Sequence, residues 1–144
     1  MAARLPRIVL DTRVLMAALR SKRGAAHEVL VQVTQDVFTV HLSLPLMLQY
    51  REVIGRQSAE LAFDEVEIGD ILTAIGSLAV VHKIHFLLRP VSTDPGDEMV
   101  LELAFAARAE YIVTHNIRHF AGASTYGSEA VTPIQFLRRI GVSR

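Results

Sequence analysis

Carboxylates and amides stand in this chain at places where one run of residues gives way to another, and oxygen-bearing side chains at such junctions can bind cations or move protons. Asp11 directly follows the apolar run Ile8-Val9-Leu10, and Asp97 and Glu98 follow Asp94-Pro95-Gly96. His115-Asn116 follow Tyr111-Ile112-Val113-Thr114, and Gln49 and Glu52 have the spacing that shares one helix face. Hard divalent ions such as Mg²⁺ and Mn²⁺ take oxygen ligands from carboxylates, amides and water. Two such ions could activate a water and stabilise the leaving oxygen of a phosphodiester. That chemistry requires side chains far apart in sequence to meet at one place.

The elements that must bring them together are legible from period. Short β-rich runs alternate with longer helical ones. Strands are expected at Arg7–Asp11, Phe38–Leu42, Ala79–His82 and Tyr111–Thr114, with a weak fifth near Ala130–Val131. Helices are expected over Thr12–Leu19, Ala25–Gln35, Leu46 to about Arg56, Ser58–Phe63, Asp64–Leu78, Asp94 to about Ala109, and Thr132 or Pro133 to Ile140. Ser43 offers a cap for the third of these and Pro45 suits its first turn. Asp94 is a cap before Pro95, with Asp97 as the acid three residues on. Alternating units of this kind predict a single α/β domain over residues 1–144: three layers, with a mostly parallel sheet of four to five strands flanked by helices. Ligands of open α/β sheets bind outside the carboxyl ends of the strands. Asp11 and Asn116 lie at that edge, and the helices carrying Gln49 and Asp97 begin near it.

Bulk properties narrow the class. The chain has 144 residues, 51% of them hydrophobic, which is enough for a substantial core. It has no cysteine, so disulfides and thiolate metal sites are excluded. No apolar run reaches the ~20 residues needed to cross a bilayer, and Met1-Ala2-Ala3-Arg4 does not open a signal peptide. A cytoplasmic protein without a membrane partner is the expectation. Fifteen basic residues balance fifteen acidic ones, so no global field draws in nucleic acid. The short basic clusters Arg20–Arg23 and Arg138-Arg139 read first as solvated element ends.

Each candidate also has a purely structural reading. Asp11 and Asp94 could cap helices, and Asp97 and Glu98 could complement a helix dipole. Glu52 suits a solvated helix face, and Ser43 a cap. The histidines at 41, 82, 85, 115 and 119 show no paired metal spacing, His115 and His119 giving only a weak signal. Thr12 and Thr114 differ: hydroxyls beside the acids could bind phosphate or orient Asp11.

Several stretches also carry a family likeness. They are Val9-Leu10-Asp11-Thr12, Leu42-Ser43 through Val53-Ile54, Asp94-Pro95-Gly96-Asp97-Glu98 through Ala104, and Tyr111-Ile112-Val113-Thr114-His115-Asn116. Ile84-His85-Phe86-Leu87-Leu88-Arg89-Pro90 and Thr132-Pro133 to Leu137 extend the likeness over nearly the whole chain. In these the chain resembles the PIN-domain nucleases, in particular the toxin components of bacterial toxin–antitoxin systems. The resemblance implies a toxin-like, Mg²⁺- or Mn²⁺-dependent endoribonuclease. Asp11, Gln49, Asp97 and Asn116 would form its catalytic pocket, with metal on Asp11 and Asp97, and Thr12, Arg13 and Thr114 would meet the RNA. A small antitoxin partner and a homodimer follow from the same likeness. Gln49 stands where the family pattern has glutamate, Asn116 at its last acidic place, and Arg13 where it has asparagine.

Asp11, Asp97 and Arg13 together leave a local formal charge of −1. Glu52, Asp94 or Glu98 could restore negative charge. Arg13 could instead pair with Asp11 or Asp97 and stand in for the ion, or grip a substrate phosphate. The alternative function is a catalytically weakened or inactive PIN-fold module that binds RNA or protein. A phosphotransfer receiver or phosphohydrolase with Asp11 as nucleophile fits less well, because no second acid follows the first strand closely and no lysine stands near the cleft.

Overall fold

A computed structural model describes residues 4–84 and 94–142. His85–Pro90 of the linking stretch therefore lie outside the described residues. Five strands form one sheet: β1 (Arg7–Leu10), β2 (Thr39–Ser43), β3 (Val80–His82), β4 (Tyr111–Val113) and β5 (Glu129–Val131). Their order across the sheet is β3-β2-β1-β4-β5, and every pairing is parallel. The expected mostly parallel sheet is thus fully parallel. β1 is central because Ile8, Val9 and Leu10 are all buried, as a strand covered on both faces requires.

Among the described residues six α-helices accompany the sheet: α1 (Thr12–Arg20), α2 (Ala25–Gln32), α3 (Leu44–Arg56), α4 (Glu65–Leu78), α5 (Pro95–Ala107) and α6 (Pro133–Arg139). The chain steps outward from β1 to β2 to β3, then crosses back to β4. Right-handed crossovers in opposite directions put their helices on opposite faces, which makes three layers. α5 packs across β1, β2, β3 and β4, while α1 packs on α2 and α2 on α6.

Side-chain caps start α3, α4 and α6. Ser43 Oγ accepts from Leu46 N, and Asp64 with Glu67 and Thr132 with Gln135 form reciprocal capping boxes. Two expected helices are shorter than their periodicity suggests. The helix from Ala25 gives way after Gln32 to a 3₁₀ turn, Val33–Gln35, closed by Asp36 at φ 54°. Over Ser58–Phe63 only a 3₁₀ turn, Ser58–Glu60, forms. The backbone there is spent elsewhere, because Ala62 N donates to Leu19 O at 2.8 Å and ties the segment to the end of α1. Two 3₁₀ stretches within Ile117–Tyr126, separated by a kink at Phe120 (φ −114°, ψ 20°) and not announced by apolar period, carry the chain away from β4 to a turn at Gly127, φ 86°. Among the described residues no helix is long and apolar enough to cross a membrane.

Candidate active site

The strand order fixes the position of the cleft. The chain leaves β1 towards β2 on one side, and β4 lies on the other, so β1 and β4 flank a topological switch point. Asp11 N donates to Val113 O at 3.0 Å, extending the β1–β4 ladder by one residue and delivering the Asp11 side chain to that point. Asp11 is the N-cap residue of α1, yet its side chain makes no capping hydrogen bond. Its Oδ2 instead accepts from Thr114 Oγ1 at 2.8 Å. The same threonine oxygen accepts from Asn116 N at 3.0 Å, so the turn after β4 is built onto the acid that follows β1. Below them the Tyr50 hydroxyl donates to Leu10 O at 2.6 Å. Burial, with the charge of Asp11 adding to it, raises the Tyr50 pKa well above its ordinary value and keeps it a neutral donor.

The first turn of α5 supplies the second carboxylate. Asp94 Oδ1 accepts from Gly96 N at 2.7 Å and from Asp97 N at 3.4 Å, so the cap that starts the helix also places Asp97. Asp97 is buried, and burial pushes its pKa above the usual carboxylate range; the Arg13 guanidinium works against this, Asp94 and Asp11 with it. Arg13 reaches over from α1. Its Nη2 donates to Asp97 Oδ1 at 2.7 Å, and its Nε lies 3.8 Å from Asp11 Oδ2. His119 Nδ1 is 3.2 Å from Asp97 Oδ2 and 3.5 Å from Arg13 Nη1.

Gln49, on α3, faces the same cleft. Thr12 donates its hydroxyl to Gln49 Oε1 in a short hydrogen bond. The amide nitrogen lies over Gly96, where an added Cβ would come within 2.9 Å of it. A residue without a side chain is what lets α3 and α5 close on each other here. The resulting cavity is about 230 Å³, with Asp11, Thr12, Arg13, Gln49 and Asp94 among its lining residues. That is below the ~300–1,000 Å³ of pockets that enclose whole small molecules.

The sequence-derived candidates therefore separate. Asp11, Arg13 and Asp97 form one ion-pair network, and Thr114 joins it through Asp11. Thr12 and Gln49 meet on the adjoining wall. Asn116 is linked to the network through its backbone N–H on Thr114. Asp94 caps α5 and lines the cavity, combining its two readings. Glu52 is exposed on α3; neither it nor Glu98 lines the cavity, and Asp97, Thr114 and Asn116 lie behind its lining, tied to it through Arg13 and Asp11. Sequence reasoning undervalued His119, whose contact with Asp97 is made by the turn after β4. The signal available was its place three residues beyond Asn116. It also read Arg20 only as an element end, whereas Arg20 lines the cavity and pairs with Glu60 across 3.7 Å.

A hard divalent ion needs several oxygen donors facing one point, with negative charge to match. Asp11 and Asp97 have the right chemistry. The space between them is spanned by the Arg13 guanidinium, and the Gln49 oxygen is turned to Thr12. Among the described residues no group of three His, Asp or Glu side chains is disposed to hold a metal ion. In this arrangement the donors do not fit a divalent ion.

Two comparisons with known proteins complete the description. No curated protein matches the chain. The sequence model of the PIN domain matches residues 7–118, more than half of the chain, from the first residue of β1 to the segment just past Asn116. That span contains Asp11, Gln49, Asp97 and Thr114 together with the strands and helices that carry them, and on it the chain belongs to the PIN domain family.

Proposed function

We propose that this chain is a ribonuclease that takes a single-stranded RNA backbone into the cleft at the β1–β4 switch point and hydrolyses a phosphodiester there. PIN domains are usually nucleases, and the Arg13 network supports assigning the reaction to this cleft. A guanidinium held between two acids, one of them 2.7 Å away, lines a cavity of about 230 Å³ and is itself partly exposed. Arg13 can exchange its carboxylate partner for the non-bridging oxygens of a phosphate, which fit its fork equally well. The carboxylates so released, Asp11 and Asp97, then stand beside the bound phosphate. There they can take the proton of an attacking water. Thr114 orients Asp11, and Thr12 and Gln49 offer hydrogen bonds along the wall.

The test is cleavage of a fluorogenic single-stranded RNA by purified protein. PIN-domain nucleases typically use divalent metals, so the assay is run with Mg²⁺, with Mn²⁺ and with EDTA. Asp11→Asn and Asp97→Asn are each expected to lower the rate at least ~100-fold, the scale of a lost acid–base or charge-stabilising group. Undiminished cleavage by both variants would place the reaction elsewhere.

A second reading is a PIN-fold module that binds RNA or protein without cleaving it. It is favoured by Asp97 being engaged on both oxygens, by Arg13 and by His119. It predicts RNA binding with no turnover under any ion. The toxin-like role, a small antitoxin partner and a homodimer remain part of the proposal through the resemblance, and a cytoplasmic location through the absence of cysteine and of a long apolar run. Growth arrest on expression, relieved by co-expressing a neighbouring small gene, tests the toxin and antitoxin roles, and sedimentation tests the dimer.

A further inference from the structure

The donor set described above disagrees with the metal use typical of this family, and Arg13 stands at the centre of the disagreement. We propose that Arg13 is the resident cation of this cleft, held between Asp11 and Asp97 so that a divalent ion and the Arg13 guanidinium compete for the same two carboxylates.

Geometry supports this in three ways. Arg13 follows Asp11 by two residues at the start of α1, so the backbone that fixes the first acid also fixes the cation. The guanidinium addresses both acids together, through Nη2 to Asp97 Oδ1 at 2.7 Å and Nε near Asp11 Oδ2 at 3.8 Å. Both carboxylates are almost fully buried, with side chains 4% and 2% exposed, so their charges need a partner that water cannot replace. Arg13 itself is 41% exposed, with a route by which it can swing outward.

Chemistry makes the competition one-sided at rest. The Arg13 guanidinium is part of the chain and needs no supply from solution. Because it is tethered, it acts at high effective concentration, whereas a free ion must arrive from solution and displace it. The apparent metal affinity is then the intrinsic one multiplied by the fraction of molecules in which Arg13 has left Asp97. A phosphate is a partner of equal fit for the guanidinium, so RNA that draws Arg13 outward would expose the two acids together. This consequence rests on the RNA reading above, while the competition itself does not.

The experiment is Mn²⁺ binding alone, without RNA, followed by the loss of the free-ion electron paramagnetic resonance signal. Arg13→Met keeps the length of the aliphatic stem and removes the charge, and it is expected to bind Mn²⁺ at least ~10-fold more tightly than the parent. Adding Asp97→Asn to it should abolish the gain. Equal affinity in parent and Arg13→Met, both folded by circular dichroism, would overturn the proposal and leave RNA cleavage untouched. Absence of RNA cleavage by the parent with every ion, the affinity gain of Arg13→Met intact, would instead sink the nuclease reading alone. If Arg13→Met fails to fold, crystals of the parent soaked in Mn²⁺ decide. An ion on Asp11 and Asp97 with the Arg13–Asp97 contact unbroken overturns the competition. An ion seated only where Arg13 has moved, or no ion beside an unmoved Arg13, upholds it.

Discussion

Thr114 donates its hydroxyl to Asp11 Oδ2 across 2.8 Å, and this bond joins the ends of two neighbouring parallel strands at the point where the sheet changes direction. Thr114 is completely buried. Thr114→Val keeps the shape and strand preference but leaves a buried carboxylate oxygen without its donor, which costs about 1.5–3 kcal/mol. Urea denaturation should show that loss, and RNA turnover should fall with it because Asp11 is no longer oriented. A variant as stable as the parent would mean that the bond is incidental.

Removing Arg13 should destabilise the protein in a pH-dependent way. Breaking a buried pair costs about 3–5 kcal/mol and an exposed pair about 0–1. With a half-exposed arginine on a buried aspartate, Arg13→Ala should cost about 1–3 kcal/mol at pH 7. The sign follows from Asp97, whose pKa in the folded protein is already raised by burial. A group with a raised folded pKa binds more protons folded than unfolded, so stability falls as pH rises through the window above the usual carboxylate range. Losing the opposing guanidinium raises that pKa further. The variant should therefore recover stability on acidification more steeply than the parent, read as urea midpoints at pH 7 and pH 5.

A histidine pair gives the opposite slope. His41 Nδ1 lies 2.7 Å from His82 Nε2, on adjacent strands β2 and β3. Burial, then the charges of His82 and Arg7, lower the His41 pKa to about 4, and burial with Arg7 lowers that of His82. Both titrate near 6.5 when unfolded. The unfolded chain thus binds more protons between about pH 6.5 and 4, and stability conferred by the neutral rings is lost as pH falls through that window. A loss on the order of 1–2 kcal/mol is expected for the parent and a smaller one for His41→Gln. Parallel pH profiles for the two proteins would refute the assignment.

Gly96→Ala separates stability from function. The added methyl meets Gln49 Nε2 at 2.9 Å and Asp94 Oδ1 at 3.1 Å. Gln49 can swing its amide aside, and alanine favours the helix by about 1 kcal/mol over glycine. The net change in stability should stay within about 1 kcal/mol. RNA affinity should drop, because the Thr12–Gln49 wall is displaced. Combined with Gln49→Ala the effects should be non-additive, since both variants move the same group; additive losses would show that Gly96 acts independently.

Much of this was legible in the chain itself. Ile8-Val9-Leu10 marked a strand buried on both faces, and Asp94-Pro95 and Ser43 marked helix starts, because capping and buried-strand patterns are local. Asp11 and Asp97 could be placed at one sheet edge because alternating βα units fix which ends of the strands carry loops. What sequence could not give was side-chain choice at a crowded point. Arg13 had three possible partners, and the fold brings it onto Asp97 while keeping Asp11 within reach. His119 escaped because its position depends on the 3₁₀ path after Asn116, which has no apolar period to announce it. The Ser58–Phe63 segment misled because helix-forming residues there are recruited by a tertiary bond to Leu19.

The ion pair between Arg13 and Asp97 also bears on how the protein matures. A pocket whose acids repel one another reaches its final form only when an outside ion is bound, and its stability then follows the supply of that ion. Here the countercharge is encoded two residues after the first acid and is made with the rest of the chain. On the proposed competition, folding should therefore be independent of ion supply, and EDTA should leave the urea midpoint of the parent unchanged.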